Sequence, residues 1–405
     1  MKRFVTINIG QRNPVGLIAL NNDQVCLIAA EFCRSAASFA CERSCRMQLD
    51  PQQKRSAHFF AGCGGDICGM IVSGWLATLA IEVNSWRCQT LRANYADCGL
   101  TVFEGPIQSF TLDQYPREPL LLYFLTFPCD RYTLAANIHG KWTGDALYLE
   151  ALREVVLRYP EVVVIENVLG IRKFKRVMET FRALPLYRCT EFTLYGEDFT
   201  HQRKARVFLI LTRQSYEFPP LESYRLPRPG TRLRDYLELD APLPNIPPYI
   251  YTRLEGNSYR DKPRVYDPEQ IEPVNLFTNY GRDRSLFLVR DERAPKKVRP
   301  FSLREVANLH GFPAAYQFIG PMNETMDMVV DSVMPFMAQA IGLAANDYFA
   351  AIPCLSDPPC SLGYREVLSP RRKLQQMEEA LAIVREPDQI DWENWPRDAQ
   401  QMQLW

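Results

Sequence analysis

A cysteine on a short turn after an apolar run is the first candidate for chemistry in this chain of 405 residues. Cys129 and Asp130 follow Phe127 and Pro128 directly, after the apolar run 120–125 that predicts a buried strand. The proline ends the strand ladder and stiffens the turn. A cysteine at the carboxyl end of a buried strand lies where open α/β sheets bind ligands. This position suggests a thiolate nucleophile, although a lone Pro-Cys pair is more often incidental.

A second candidate group is a carboxylate and an amide at the end of a β-branched strand. Glu166 and Asn167 end the apolar run 162–168. A buried carboxylate is costly unless it has a use or a partner, so a catalytic role and a salt bridge remain equally open. Further along, three cations within 200–206 precede the predicted strand 207–211. They indicate either a solvated loop or a phosphate clamp.

The segment 58–70 carries a glycine-rich turn between a short apolar strand and a helix start. Gly62, Gly64 and Gly65 allow a tight turn and close approach of a ligand, and the helix that follows offers free N–H donors. Glu82 ends the next predicted strand, where a carboxylate can accept hydrogen bonds from ribose hydroxyls. This spacing favours a nucleoside cofactor, and the sequence contains no P-loop signature.

Composition predicts an ordinary globular protein. The chain has 47 basic and 47 acidic residues, so its formal net charge is zero and any nucleic-acid surface must be a local patch. The sequence shows no secretory signal and no apolar run near 20 residues, which predicts a cytoplasmic protein with reduced cysteines and no membrane contact. Cys33, Cys41 and Cys45 lack a CxxC pair and a nearby histidine, which favours structural thiols over a metal site.

The elements that must position these groups alternate between strand and helix, which predicts an α/β fold. After about residue 213 the sequence becomes rich in proline, arginine and aromatic residues, as in a nucleic-acid surface or any loop-rich β domain. Ser302 and Glu305 predict a capping box for a helix that ends at Gly311. We expect an N-terminal extension at 1–55, with a β-hairpin that turns at 21–23 and a helix at 35–46. A catalytic domain should comprise 56–212 together with a final apolar helix at 326–348. A recognition domain at 213–325, which includes a bracing motif at 299–313, and a C-terminal extension at 349–405 complete the expected organisation.

These blocks, in this order, resemble the cytosine-5 DNA methyltransferase family over about residues 57–346. The matching blocks are Phe60-x-Gly62-x-Gly64-Gly65, Glu82, Pro128-Cys129, Glu166-Asn167-Val168, Gln202-x-Lys204-x-Arg206, and Arg299-x-x-Ser302-x-Arg304-Glu305 with Gly311-Phe312-Pro313. The chain departs from the family pattern at His58 in place of an acid, Pro106 in place of an aspartate, Asp130 in place of a glutamine, Lys204 in place of an arginine, and Asp331-Ser332-Val333-Met334-Pro335 in place of Gly-Asn-x-Val-Pro.

The resemblance implies a Rossmann-like methyltransferase domain with a mainly parallel sheet, beside a smaller loop-rich target-recognition domain. It implies methyl transfer from S-adenosyl-L-methionine to C5 of a cytosine flipped out of double-stranded DNA. It also implies restriction-modification and a prokaryotic or phage origin. By this resemblance the catalytic residues are Cys129, Glu166, Arg206 and Lys204; the cofactor-binding residues are Phe60, Gly62, Cys63, Gly64, Gly65, Glu82, Val83, Pro128, Ser332 and Val333; and the substrate-binding residues are Asn167, Gln202, Arg299 and Arg304.

Two alternatives stay open at this point. The same family includes enzymes that methylate tRNA, and residues 277–281 faintly resemble their recognition segment. A catalytically weakened member acting as a binding or regulatory subunit is the other alternative, although such proteins usually lose the cysteine or the glutamate. Asp130 bears on this alternative, because a carboxylate beside Cys129 raises the pKa of the thiol by like-charge repulsion.

Overall fold

The computed structural model describes most of the chain between residues 54 and 352. The described residues are 3–5, 18–20, 54–111, 114–116, 120–128, 147–213, 216–228, 230–243, 246–255, 262–276, 280–281 and 283–352. Cys129, Asp130, the predicted turn at 21–23 and the predicted helix at 35–46 lie outside these residues, as does nearly all of the predicted C-terminal extension.

A seven-stranded sheet forms the centre of the protein, in the order β5-β4-β3-β6-β7-β9-β8. Every neighbouring pair is parallel except those of β9, which runs antiparallel to both β7 and β8. The mainly parallel α/β sheet predicted from the sequence is therefore confirmed. The strands are β3 (Arg55–Phe59), β4 (Leu76–Glu82), β5 (Thr101–Glu104), β6 (Leu122–Leu125), β7 (Val162–Val168), β8 (Arg188–Tyr195) and β9 (Ala205–Thr212).

Helices cover both faces of this sheet, which buries alternate side chains of each central strand on opposite sides. The helices described up to β9 are α1 (Gly65–Val72), α2 (Ser85–Tyr95), α3 (Leu147–Arg158) and α4 (Lys175–Arg182). Val163 and Ile165 of β7 pack in the core shared with α3 and α4, whereas Val164 packs in the core shared with a later helix, α8 (Pro335–Ala351).

The predicted final helix at 326–348 is wrong as a single element. The structure has two helices, α7 (Met322–Asp331) and α8 (Pro335–Ala351), with an extended break between them. Pro335 has no amide hydrogen and forces the preceding residue out of the helical conformation, so one helix cannot run through it. The apolar stretch Met322–Ala351 has the length and hydropathy of a membrane span, but 78% of its most apolar window is buried inside the protein. Packing against the sheet accounts for that composition.

The region after β9 contains a small three-stranded sheet and two short helices. Its strands pair in the order β10-β11-β12, with β11 and β12 antiparallel. The predicted capping box is confirmed, because the Ser302 hydroxyl accepts from the Glu305 amide at 3.1 Å and the Glu305 carboxylate accepts from the Ser302 amide at 2.8 Å. The elements are α5 (Tyr249–Glu255), β10 (Arg264–Tyr266), β11 (Phe287–Arg290), β12 (Val298–Pro300) and α6 (Leu303–His310). Near the N-terminus, β1 (Arg3–Val5) pairs antiparallel with β2 (Ile18–Leu20).

Candidate active site at the carboxyl edge of the sheet

The glycine turn after β3 has one open position and one crowded position. Gly62 has a φ of +56°, and a Cβ built on it would meet no atom within 4 Å. A Cβ on Gly65 would lie 2.1 Å from the Val333 carbonyl oxygen, so only glycine permits this contact between α1 and the α7–α8 break. Gly64 and the non-glycine Phe60 also have positive φ. The turn therefore leaves room for a ligand at Gly62 while its far side packs on protein.

The Glu82 carboxylate is fixed to this turn by backbone amides. Its Oε2 accepts from the Gly62 amide at 2.8 Å, and its Oε1 accepts from the Val83 and Asn84 amides at 2.9 and 2.8 Å. A carboxylate has about four acceptor positions, so one on Oε2 remains for a ligand hydroxyl. Val83 beside it is 65% exposed, an apolar surface next to the acid.

Cys63, Ser332 and Val333 lie where α1 meets the α7–α8 break. The buried Cys63 thiol donates to the Met328 carbonyl at 3.2 Å, and burial raises its pKa to about 12. A thiol with this pKa stays protonated near neutral pH and is a poor nucleophile. The Ser332 hydroxyl donates to the Val329 carbonyl at 2.8 Å.

Glu166, Lys204 and Arg206 come together at the same edge. The Arg206 Nε lies 2.8 Å from the Glu166 Oε1, and both side chains are largely buried. The Lys204 ammonium donates to the carbonyls of Val330 and Ser332 at 2.8 and 2.5 Å. Lys204 thus links this carboxylate cluster to the end of α7, next to the predicted cofactor segment.

Burial pushes both Glu166 and Lys204 toward their neutral forms. Burial raises the pKa of Glu166, although the charges of Arg206 and Lys204 oppose the shift. Burial also lowers the pKa of Lys204 to about 7, and Arg206 adds to that shift while Glu166 opposes it. A carboxyl with a raised pKa holds its proton to higher pH than an exposed glutamate and can serve as a proton donor.

Asn167 positions the segment that carries the predicted nucleophile. Its Nδ2 donates to the Phe127 carbonyl at 3.0 Å, and its Oδ1 accepts from the Val168 amide. Because Leu125 of β6 is paired with Ile165 of β7, the residues after β6 lie beside Glu166 and Asn167. Pro128 is exposed at this edge. Cys129 itself lies beyond the described residues, and its role stays a prediction.

The other predicted substrate-binding residues form hydrogen bonds with other groups of the protein. Gln202 is fully buried and its Nε2 donates to the Leu276 carbonyl at 2.6 Å. The buried Arg299 binds Asp291 and Glu305 at 2.7–2.8 Å. Arg304 donates to the carbonyls at positions 313 and 316. These contacts connect parts of the region after β9 with one another and with the segment before β9, and a DNA contact by any of the three stays a prediction.

Two pairs near the site were missed by sequence reasoning. The Nδ1 atom of His58, the residue in place of the family acid, lies 2.7 Å from the Oδ2 atom of Asp66 on the first turn of α1, a hydrogen-bond distance. Arg87 on α2 pairs with Asp331 at the end of α7, with an Nη2–Oδ2 distance of 3.1 Å. The only signal for either pair was the departure at His58 and at Asp331, because residues that meet through folding have no fixed spacing in the sequence.

The comparison with protein families gives one match, to C-5 cytosine-specific DNA methylase, over residues 55–346. Curated proteins with similar sequences include the Type II methyltransferase M.Eco47II of Escherichia coli, 24% identical over 322 residues, covering 70% of this chain and 76% of that protein. Another is the Type II methyltransferase M.NgoMIV of Neisseria gonorrhoeae, also 24% identical, covering 72% of this chain and 96% of that protein.

Among solved structures, the Dnmt2 methyltransferase of S. pombe is similar in fold. Its TM-score is 0.58 at 16% sequence identity, and the match covers 73% of this chain and 99% of that one. A putative DNA modification methyltransferase from an E. coli prophage gives a TM-score of 0.56 with the same coverage and identity. At these identities the likeness concerns the fold alone, and it agrees with the sheet described above.

Proposed function

Because the chain belongs to the family of C-5 cytosine-specific DNA methylases, we propose that it methylates C5 of a flipped cytosine through a covalent bond from Cys129 to C6, at one short sequence in double-stranded DNA. The coarser activity follows from membership itself: the protein is a cytosine-5 DNA methyltransferase of the restriction-modification type, and its cofactor is S-adenosylmethionine. The buried Glu166–Arg206 pair at the carboxyl edge of the sheet carries the mechanistic part of the proposal.

The cofactor site fits a nucleoside bearing a ribose. Gly62 leaves open space at the turn, the Glu82 Oε2 keeps one acceptor position for a ribose hydroxyl, and the exposed Val83 offers an apolar surface for a base. These residues would hold the cofactor together with Ser332 and Val333. When bound, S-adenosylmethionine supplies an electrophilic methyl group on sulfur.

The residues of this chain must make C5 of cytosine nucleophilic. In the proposed step the Cys129 thiolate adds to C6, forming an S–C6 bond, and Glu166 delivers a proton to N3 of the base. The electron pair of the C5–C6 double bond moves into a C4–C5 double bond, which gives an enamine whose C5 is nucleophilic. After methylation, a base in the solvent takes the C5 proton, its electron pair re-forms the C5–C6 double bond, the S–C6 bond breaks to release the thiolate, and N3 returns its proton to the Glu166 carboxylate.

The geometry supports Glu166 as the proton donor at N3. Burial raises the pKa of its carboxyl, and Arg206 holds it in one orientation at 2.8 Å. A base flipped into the site reaches this edge of the sheet, where Asn167 fixes the segment before Cys129. Arg206 then stabilises the glutamate that remains after proton transfer, and Lys204 adds positive charge nearby.

We place target recognition in residues 213–325. The small sheet β10–β12 and helix α5 belong to this region, and two backbone hydrogen bonds join it to the segment before β9. The Arg203 amide donates to the Val274 carbonyl at 2.7 Å, and the Val274 amide donates to the His201 carbonyl at 2.9 Å. Target recognition is thereby tied directly to the segment that carries Lys204 and Arg206.

Transfer of a labelled methyl group tests the proposed substrate. Purified protein is incubated with labelled S-adenosylmethionine and either duplex DNA of varied sequence or total tRNA, and Cys129→Ser is assayed in parallel. We expect label in duplex DNA at one short sequence and none with Cys129→Ser. Label in tRNA alone would identify an RNA enzyme, whereas cofactor binding without transfer to either substrate would support a regulatory subunit.

A further inference from the structure

The Arg87–Asp331 pair is a charged pair beside the cofactor site that the proposed mechanism leaves without a role. Arg87 lies on the first turn of α2, and Asp331 is the last residue of α7. Their side chains are 29% and 34% exposed, so both remain accessible from solvent. The pair therefore joins the element that follows Glu82 to the segment that precedes Ser332.

Electrostatics place the Arg87 guanidinium among the groups of the predicted cofactor site. Burial opposes its charge, but the carboxylates of Glu82 and Asp331 outweigh that cost and raise its pKa. Glu82 is itself hydrogen-bonded to the Gly62 amide, beside the open space of the glycine turn. Arg87 and Asp331 thus flank the cofactor site on the side of the α7–α8 break.

We propose that Arg87 and Asp331 bind the amino-acid end of S-adenosylmethionine, with the guanidinium donating hydrogen bonds to the α-carboxylate and the Asp331 carboxylate accepting hydrogen bonds from the α-ammonium. An amino-acid zwitterion carries one positive and one negative group on the same α-carbon, so its two charges are complementary to those of an arginine–aspartate pair. The inference rests on the proposed function, because it assumes that the cofactor's ribose lies at Glu82.

The Arg87–Asp331 pair can exchange its internal contact for contacts to a ligand. A partly exposed ion pair contributes little to stability, so the Arg87–Asp331 contact can open to admit a ligand that satisfies both partners.

Cofactor analogues that lack one charged group each separate the two contacts. Equilibrium binding to the full-length protein is measured by calorimetry for S-adenosylmethionine, for decarboxylated S-adenosylmethionine, which keeps only the ammonium, and for 5′-methylthioadenosine, which lacks both groups. Arg87→Met should lower the affinity for S-adenosylmethionine roughly tenfold to a hundredfold, and the affinity for the decarboxylated analogue by no more than about twofold. Asp331→Asn should lower the affinity for both of these ligands and leave the affinity for 5′-methylthioadenosine unchanged.

A second ion pair on the same helix provides the matched control. Arg92 of α2 pairs with Glu104 at 2.6 Å and is similarly exposed, so Arg92→Met should leave all three affinities unchanged. Thermal unfolding of each variant checks the fold, and Arg87→Lys should recover part of the affinity for the carboxylate.

The results distinguish two failures. The inference alone would be overturned if Arg87→Met lost affinity equally for S-adenosylmethionine and its decarboxylated analogue, or lost affinity for neither. If the wild-type protein binds none of the three ligands, the proposed function fails and the inference fails with it.

Discussion

The Glu166–Arg206 pair and the Glu305–Arg299 pair both bury a glutamate against an arginine, at 2.8 and 2.7 Å. Sequence patterns marked both as functional, the first as catalytic and the second, through Arg299, as substrate-binding. Their surroundings differ in how fully the buried charges are paired. That difference separates a site where a proton can move from one that braces the fold.

In the Arg299 site every shift favours the charged forms. Its guanidinium donates to Asp291, Glu305 and the Pro300 carbonyl. Hydrogen bonds from Arg293 and Arg299 hold the pKa of Asp291 well below its usual range. Burial alone would lower the pKa of Arg299, but Glu305 and Asp291 outweigh it and raise the pKa. Asp291 and Arg299 are therefore both charged near neutral pH.

In the Glu166 site burial is only partly compensated. Arg206 pairs with Glu166, whereas the Lys204 ammonium donates to the Val330 and Ser332 carbonyls. Burial raises the pKa of Glu166 and lowers that of Lys204 to about 7. Incomplete pairing thus keeps the carboxyl closer to its neutral form. Burial of an ion pair therefore does not by itself mark a catalytic group, whereas a carboxyl whose pKa is raised by burial at the carboxyl edge of the sheet is a candidate proton donor.

Glu166→Gln should give the largest effect on the reaction. The amide keeps the shape of the side chain but has no proton to deliver to N3, so the rate of methyl transfer should fall by about 10²–10⁴-fold. Its free energy of unfolding should change by about 1 kcal/mol or less. Single-turnover transfer and denaturant unfolding measure the two quantities. A rate within about threefold of the wild type would remove Glu166 from the mechanism.

Glu305→Gln makes the same chemical change in the other pair and should give the reverse pattern. Glu305 accepts from Arg299, from the Ser302 amide and from the Glu238 amide, so an amide nitrogen would face N–H donors. Breaking this buried network should cost about 3–5 kcal/mol in the free energy of unfolding. The rate per folded molecule should change little. If the rate falls as far as in Glu166→Gln, the two sites are not functionally distinct.

Lys204→Met should change how stability depends on pH. Lys204 has a folded-state pKa of about 7, below the ordinary value of 10.5. Between these two pH values the folded protein therefore binds fewer protons at Lys204 than the unfolded chain does. Wild-type stability relative to Lys204→Met should therefore rise from pH 7 toward pH 9, by up to about 1.4 kcal/mol per pH unit. Unfolding at pH 6, 7.5 and 9 measures this difference. A constant difference would show that the Val330 and Ser332 carbonyls keep Lys204 charged.

The sequence predicted the elements at this edge because strand and glycine patterns are local. The strand 162–168 and the glycine turn before α1 were predicted where the structure has them. The capping box of Ser302 and Glu305 was predicted for the same reason, since its two members are three residues apart. The predicted sheet followed from the alternation of strands and helices.

Contacts between distant residues could not be read in the same way. The Arg87–Asp331 pair joins residues 244 positions apart, and the acid expected at position 58 is replaced by a histidine whose partner is Asp66 on α1. The break before α8 was missed because the apolar pattern continues through Pro335, although the proline itself forbids a continuous helix. Arg299 is a different case: its described side-chain hydrogen bonds are all to protein groups, and its contact with the substrate stays a prediction.

Covalent trapping tests the central proposal most directly. Duplex DNA that contains the target sequence with 5-fluorocytosine at the reactive position is incubated with protein and S-adenosylmethionine. Because the C5 fluorine cannot leave as a proton does, the S–C6 bond should persist, and mass spectrometry should locate it on Cys129. Cys129→Ser should give no adduct, and Glu166→Gln should form it more slowly. An adduct on another residue, or none with DNA that the enzyme methylates, would contradict the assignment of Cys129 as the nucleophile.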